Sequence, residues 1–393
     1  MKKNLPQSLY QSYFLHAALL GVLAALAFPP INFWPILFVV FIPMLRRAAG
    51  EKTAGKAFRL GFVFAFLFFF CTLHWLIPTM QTFGPLPLPA AFGALALFAV
   101  YLALYPALFF VLVQKFHQKK APLILLLPAS WIGLELLRSF LFSGFPWAQI
   151  GHGLVSAPLL IQTADLGGVY LLSFGIVTVN TALAFYSSKK SAVIFACAFW
   201  LLSISYGFYR MEEVEKKSEE AKTLSVSILQ GSIPPREKWE PAFQRNALAT
   251  YQKLVAESPK DGNRLFLWPE TALPFFLFEA KTATKLVLDM IDESQSSHLV
   301  GSLAYAEDGN SLLNASFLIN PRGAIIGKYS KSHLVPFGEY VPLRKQLPFL
   351  SAISGIQTEF SRGNAIPALS QGDLTVGSLI CFESVFPEYS RKA

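Results

Sequence analysis

Seven apolar runs occupy the first 208 residues, and they constrain the fold more strongly than any other feature of the chain. Each is long enough, or nearly so in the short second run, to cross a hydrocarbon core of ~30 Å as a helix. We therefore predict a membrane domain of about seven helical spans over residues 1–208. The runs lie at about residues 10–28, 31–45, 59–77, 88–113, 121–138, 165–187 and 191–208.

Lysine and arginine are distributed unevenly among the connections between these runs. Basic residues precede the first run and follow the second, fourth and sixth, whereas the connections 29–30, 78–87 and 139–164 contain none. Because cytoplasmic loops of membrane proteins retain positive charge, we expect a cytoplasmic N-terminus and, after seven spans, an external second half. The first run could instead be a signal peptide, since two lysines precede an apolar stretch that ends in Ala25-Leu26-Ala27.

The overall charge does not indicate a nucleic-acid partner. The formal net charge is +9, but residues 1–208 hold 13 basic and 3 acidic residues, whereas residues 209–393 hold 20 and 21. The basic excess therefore lies in the apolar half, where membrane topology explains it and a phosphate-tracking patch is not expected. The histidines are scattered, and nucleotide-binding or zinc-type spacings are absent from the sequence. We expect neither a metal nor a cofactor.

Two polar or aromatic features interrupt the apolar half. Glu135 and Arg138 lie three residues apart in the fifth run, and we interpret them as a structural pair on one helical face. Charges are otherwise almost absent from the runs, which disfavours a transporter. Gly144-Phe145-Pro146-Trp147 lies in the longest uncharged connection. It could be an interfacial aromatic anchor or a mouth that opens toward lipid, and the sequence favours neither.

The composition changes at residue 209, and a different kind of domain follows. Residues 209–222 are strongly charged and are interpreted as a solvated linker or a helix leaving the membrane. Strands interleaved with helices are typical of a layered α/β domain, which we predict over residues 223–393. The predicted strands are 223–229, 264–268, 315–319, 324–329 and 374–380, and the predicted helices are 243–257 and 281–294.

Three residues of this half stand at or just beyond predicted strand ends: Glu270, Lys331 and Cys381. Each is a weak signal alone, because a single cysteine after a β-type run is more often a small buried apolar residue. Together they form a chemically complete set. A thiolate nucleophile needs a base to remove its proton and a cation to hold the oxyanion that develops. The set suits attack on an acyl carbon and a thioester intermediate.

Around these residues the chain resembles the nitrilase, or carbon–nitrogen hydrolase, superfamily, whose Glu-Lys-Cys triad lies on an α-β-β-α sandwich. With membrane spans in front of such a domain, it is similar to the apolipoprotein N-acyltransferase family. The motifs that carry this resemblance are Gln230 to Pro234 with Trp239, Trp268 to Ala272, Lys328 to Pro342, Cys381-Phe382-Glu383 and Gly144 to Trp147.

The resemblance implies a reaction and a role for each residue. A fatty acyl chain would pass from a phospholipid, phosphatidylethanolamine at its sn-1 position, to Cys381, and then to the α-amino group of a diacylglyceryl-cysteine at the N-terminus of an apolipoprotein. Glu270 would be the base, and Lys331 would stabilise the oxyanion and favour the thiolate. Glu339 and Glu383 would orient Lys331 and the substrate amine. The resemblance also implies a monomer in the bacterial inner membrane, with its catalytic domain in the periplasm.

The chain departs from the family pattern at two places. Phe382 stands where the family usually has Tyr, so the ring is kept and the hydroxyl is lost. The chain ends 12 residues after Cys381, whereas the family continues through further sandwich elements and a last span, so we expect a C-terminally truncated member. Two other functions stay open: a membrane-tethered amidase with the same triad, and an inactive lipid-binding fragment. Trp239 could gate the lipid entrance or simply pack.

Overall fold

The computed structural model describes residues 7–84, 86–186, 190–234, 238, 240–259, 264–348, 356, 358–365 and 367–393. The chain separates into two compact units, Met1–Ala221 and Lys222–Ala393.

The first unit is helical. Five of its described helices are long and apolar enough to cross a membrane, namely α3, α5, α6 with the turn that follows it, α8 and α9. The apolar segment Tyr13–Ala25 of α1 is shorter than these five helices. The helices are α1 (Gln7–Ala25), α2 (Ile42–Gly50), α3 (Ala54–Thr72), α4 (Leu76–Phe83), α5 (Leu88–Gln118), α6 (Leu123–Phe140), α7 (Pro158–Ile161), α8 (Ala164–Ala184) and α9 (Lys190–Glu220).

The second apolar run does not form a span, so the prediction for residues 31–45 is wrong and seven spans are not confirmed. It folds as a 3-10 turn over Trp34–Phe38, a bend, and then the short helix α2. The sequence has prolines at 35 and 43, and a proline lacks an N–H and disfavours helical geometry in the residue before it. The buried Asn180 of α8 satisfies two buried backbone groups of this segment, donating to the Leu37 carbonyl at 2.7 Å and accepting from the Phe41 N–H at 3.1 Å.

The side chains of Glu135 and Arg138 both form hydrogen bonds with the backbone of the connection that follows α6. Arg138 donates to the Trp147 carbonyl at 2.6 Å, and Glu135 accepts from the Ile150 N–H at 2.9 Å. Both side chains are buried, and Arg138 also accepts at its backbone carbonyl from the Phe145 N–H at 2.9 Å. These contacts are structural, as predicted for this pair. They hold Phe145 and Trp147 within the first unit, where Trp147 packs 5.1 Å from the ring of Trp75.

The charged residues after 208 continue the last helix. Because α9 runs to Glu220, residues 209–220 are helical rather than an irregular linker. Two i,i+4 ion pairs support this last part of α9, Lys216–Glu212 at 2.6 Å and Lys217–Glu213 at 2.7 Å.

The second unit is built on a five-stranded mixed sheet with the order β1-β2-β3-β4-β5. Strands β1 to β3 are parallel, and β3 to β5 are antiparallel. A separate antiparallel pair, β6 and β7, forms a second sheet. The elements are β1 (Ser225–Ile228), α10 (Pro241–Glu257), β2 (Arg264–Leu267), α11 (Lys281–Ser294), β3 (Ser297–Tyr305), β4 (Leu312–Ile319), β5 (Ile325–Ser330), β6 (Leu369–Gln371), β7 (Leu374–Val376) and α12 (Pro387–Ser390).

Different elements pack against the two faces of the main sheet. Helices α10 and α11 pack on one face through a core that includes Tyr251, Phe266, Val287 and Phe317. On the other face, residues including Leu265 and Tyr329 pack with Leu369 of β6. The described residues thus give a helical layer and two sheets, and the four-layer sandwich is not confirmed. Strand β3 is absent from the predicted strands, because its residues are buried almost throughout and lack the alternation of a half-buried strand.

Candidate active site

The fold brings Lys331 and Glu270 together, although they lie far apart in the sequence. Lys331 directly follows β5, and its side chain is only 1% exposed. Its Nζ lies 3.6 Å from Oε1 of Glu270 and 2.9 Å from Oε1 of Glu339. A buried ammonium group therefore lies between two carboxylates, which compensate its charge.

Glu270 is held in a tight turn just after β2. Thr271, the next residue, has a φ of +43°, a conformation that non-glycine residues rarely adopt. Gly301 of β3 makes room for the turn, because a Cβ there would lie 2.2 Å from the Pro269 carbonyl oxygen. Lys238 ties the turn down by donating to the Glu270 carbonyl at 3.2 Å and to Thr271 Oγ1 at 2.9 Å. The backbone of Glu270 is thereby fixed, while its carboxylate stays partly exposed.

Cys381 lies in a turn rather than at the end of a strand. The predicted strand 374–380 is wrong beyond Val376, where β7 ends, and Cys381 opens a 3-10 turn over Cys381–Val385. The residue is exposed and has a φ of +52°. Such strain in a non-glycine residue marks a side chain that the surrounding structure holds in place. The charges of Glu270 and Lys331 both act on its thiol, which places the thiol beside these two groups.

Burial and neighbouring charges both shift the pKa values of the two central groups, Lys331 and Cys381. For Lys331, burial alone would lower the pKa, but the negative charges of Glu270 and Glu339 outweigh it, and the pKa is raised. For Cys381, desolvation by the surrounding chain and the charge of Glu270 raise the pKa of the thiol, and Lys331 only partly offsets them. Lys331 alone therefore does not bring the pKa of the thiol below its usual value.

Glu339 supports Lys331 directly. Its Oε1 accepts from Lys331 at 2.9 Å, and its Oε2 accepts from the Val335 N–H at 2.8 Å. The residue is buried. Each oxygen has a donor, so the carboxylate holds one orientation toward Lys331.

Glu383 is fully buried and links the segment after β5 to the 3-10 turn Cys381–Val385, the cysteine turn. Its Oε1 accepts from the Tyr329 hydroxyl at 2.6 Å and from the N–H groups of Ser332 at 2.8 Å and His333 at 2.9 Å. Its Oε2 accepts from the Ile380 N–H at 2.9 Å. Through these contacts the backbone of the segment after β5 is joined to the backbone of the cysteine turn, and none of them involves Lys331.

The remaining predicted residues have different outcomes. The Phe382 ring is buried, with ring centroids 5.0 Å from Phe386 and 5.6 Å from His333, so it packs as expected of a ring without its hydroxyl. Trp239 lies outside the described residues. Among the residues that the structure describes, no group of His, Cys, Asp and Glu could hold a metal ion.

Sequence reasoning missed one residue of the site, Asn314. It lies in β4, is buried, and donates to Oε1 of Glu270 at 2.6 Å and to Oε1 of Glu339 at 3.3 Å. An asparagine inside the apolar run Leu312 to Ile319 was the signal that could have revealed it, since a buried amide needs partners.

Known proteins are similar to this chain over nearly its whole length. Residues 20–182 match the family described as apolipoprotein N-acyltransferase N-terminal domain, and residues 225–393 match carbon–nitrogen hydrolase. An apolipoprotein N-acyltransferase of Geobacter metallireducens is 38% identical over 96% of this chain and 74% of its own length. Those of Haemophilus influenzae and Vibrio vulnificus are 32% and 30% identical, over 96% of this chain and 74% and 75% of their own lengths.

The fold and the site define a helical membrane protein that carries a carbon–nitrogen hydrolase domain. More particularly, the chain belongs to the apolipoprotein N-acyltransferase family.

Proposed function

We propose that this chain transfers a fatty acyl chain from a phospholipid to the α-amino group of a diacylglyceryl-cysteine at the N-terminus of apolipoproteins. The observation that carries the proposal is the meeting of Glu270, Lys331 and Cys381, from three separate segments, in a member of this family. The names of the relatives supply the lipoprotein acceptor. The phospholipid donor follows from the membrane setting, in which a fatty acyl ester is at hand.

In the first step, the Glu270 carboxylate removes the Cys381 proton as Sγ attacks the ester carbonyl carbon. The raised pKa of the thiol makes this proton transfer necessary, because little thiolate is present beforehand. The ammonium group of Lys331 stabilises the oxyanion of the tetrahedral intermediate. The carbon–oxygen bond to the glycerol then breaks, the proton held by Glu270 passes to that oxygen, and lysophospholipid leaves. The acyl chain stays on Sγ as a thioester.

In the second step, the amine of the acceptor attacks the thioester carbonyl. Glu270 accepts a proton from the attacking nitrogen, and Lys331 again holds the oxyanion. The carbon–sulfur bond breaks, and the proton held by Glu270 passes to the Cys381 sulfur. The product is an amide, and the enzyme returns to its initial state.

Phosphatidylethanolamine acylated at sn-1 is our proposed donor. We also propose that the second unit faces the periplasm from the inner membrane, as the charged connections predict, and that the chain acts as a monomer. A site reached from lipid would limit hydrolysis of the thioester, because water is scarce there. Glu339 and Glu383 act as supports, with Glu339 on Lys331 and Glu383 on the cysteine turn.

The test uses the chain in detergent micelles with phosphatidylethanolamine labelled in its sn-1 acyl group. We expect a hydroxylamine-sensitive label on Cys381, located by peptide mass spectrometry, and its transfer to a diacylglyceryl-cysteine peptide. Cys381→Ala should abolish both, and Cys197→Ala, which changes an exposed cysteine of α9, should leave both unchanged. N-acylation by Cys381→Ala would refute the mechanism. Hydrolysis of small amides without acyl transfer would indicate the amidase.

A further inference from the structure

Asn314 lies at the centre of the charged cluster, on a central strand of the sheet. Strand β4 pairs with β3 on one side and β5 on the other, so the backbone of Asn314 is well fixed. Its carbonyl accepts from the Lys331 N–H at 2.8 Å, which extends the ladder between β4 and β5. The side chain is 4% exposed. Asn314 thus has little freedom to move, and its amide points at the acidic groups of the site.

The amide and the ammonium group contact the same two oxygens. Oε1 of Glu270 lies 2.6 Å from Asn314 Nδ2 and 3.6 Å from Lys331 Nζ. Oε1 of Glu339 shows the reverse preference, at 3.3 Å from Asn314 and 2.9 Å from Lys331. Lysine is therefore the main donor to Glu339, and asparagine is the main donor to Glu270.

The charge balance explains why a second donor is needed. Two carboxylates face a single ammonium group, so one negative charge is uncompensated when both are ionised. An amide NH₂ group has two hydrogens, one for each carboxylate, and it stabilises the ionised forms without adding a charge that would compete with Lys331.

We propose that Asn314 is a positioning residue that keeps Glu270 ionised and oriented as the base for Cys381. Asn314 occupies Oε1 of Glu270, which leaves Oε2 to take the thiol proton. This inference rests on the proposed function, because it assumes that Glu270 accepts a proton from Cys381. Asn314 acts through Glu270 and does not itself touch the reacting atoms.

Other charged or titratable groups also face Glu270, and they define what a pH profile reports. Lys331 is near both Glu270 and Glu339, the Cys381 thiol feels the charge of Glu270, and Lys238 donates to the Glu270 carbonyl. None of these groups changes in a variant of Asn314. A shift in the acid limb of the rate profile would therefore report on the hydrogen bond from the amide.

The experiment measures the rate of thioester formation on Cys381 between pH 4 and pH 9, with labelled phosphatidylethanolamine and the full chain. For Asn314→Ala we expect the acid limb to move up by about one pH unit, so that the rate at a fixed pH on that limb falls by roughly tenfold, since a hydrogen bond to a charged group has about this value. Asn314→Asp should lose more, because it sets a third carboxylate against the other two. The apparent KM for the phospholipid should stay unchanged.

Ser316→Ala is the matched control. Ser316 lies two residues further along the same strand and bonds Ser378 at 2.7 Å, without a hydrogen bond to either carboxylate. It should leave the acid limb in place, even if the yield of folded protein falls. If wild type forms the thioester and Asn314→Ala keeps the wild-type acid limb, the inference is wrong while the proposed function stands. If wild type forms no thioester at any pH, both are wrong.

Discussion

Replacement of Glu383 by Gln should separate the cysteine turn from the segment after β5. The wild-type carboxylate is fully buried and accepts from Tyr329, Ser332, His333 and Ile380. A glutamine oxygen can replace Oε1, but bonds to a neutral acceptor are about half as strong as those to a carboxylate. At the Oε2 position the NH₂ group would meet the Ile380 N–H, which leaves a buried donor unsatisfied at a cost of about 1–3 kcal/mol.

Together these losses should destabilise the second unit by about 3 kcal/mol, which corresponds to roughly 6–12 °C in the unfolding midpoint of a unit of this size. Thermal unfolding of the chain in detergent, followed by tryptophan fluorescence, would measure the shift. Hydrogen exchange at the Ile380 and Ser332 amides should rise in the same variant, because both amides bond Glu383.

Thioester formation on Cys381 should fall by more than about tenfold in Glu383→Gln, since misplacement of a nucleophile has a large effect on rate. Glu388→Gln, in the first turn of α12, is the control and should change neither quantity. An unfolding midpoint and a rate equal to those of wild type would refute the structural role of Glu383.

Three further changes test other parts of the structure. Lys331→Met should lower the rate of thioester formation by about 10²–10³-fold, measured with labelled phospholipid, because it removes the buried ammonium group that we propose stabilises the oxyanion. His298 is buried, bonds Trp268 at 2.9 Å and has its pKa lowered to about 3 by burial. In the unfolded chain this histidine binds a proton below about pH 6.5, whereas in the folded chain it stays neutral. The free energy of unfolding should therefore fall by about 2 kcal/mol between pH 7 and pH 5 in denaturant titrations. The variant His298→Gln should lose this pH dependence. Asn180→Leu should destabilise the first unit by about 2–4 kcal/mol in thermal unfolding, because two buried backbone groups lose their partners, whereas Thr178→Val, whose hydroxyl has no hydrogen bond in the described structure, should change little.

The local pattern is sufficient for many elements of this chain. Long apolar runs form helices α3, α5, α6, α8 and α9, because length and hydropathy alone make a helix the stable form in a hydrocarbon layer. The helix predicted over residues 281–294 has the observed bounds. The local pattern predicts the wrong structure for residues 31–45, where prolines prevent the long helix that the hydropathy suggests. It also fails to predict β3, because burial on both faces removes the alternation of apolar and polar residues that marks a half-buried strand.

The candidate site divides in the same way. The combination of residue types and the resemblance of the motifs single out Glu270, Lys331 and Cys381 as candidates, because together they form a chemically complete set. Only the tertiary structure places Asn314 against both carboxylates and fills both oxygens of Glu383 with backbone donors. Most of these hydrogen bonds join residues tens of positions apart, and no local pattern encodes those. The chemistry is therefore readable in the chain, whereas the arrangement of groups around it depends on how the strands pair and the turns pack.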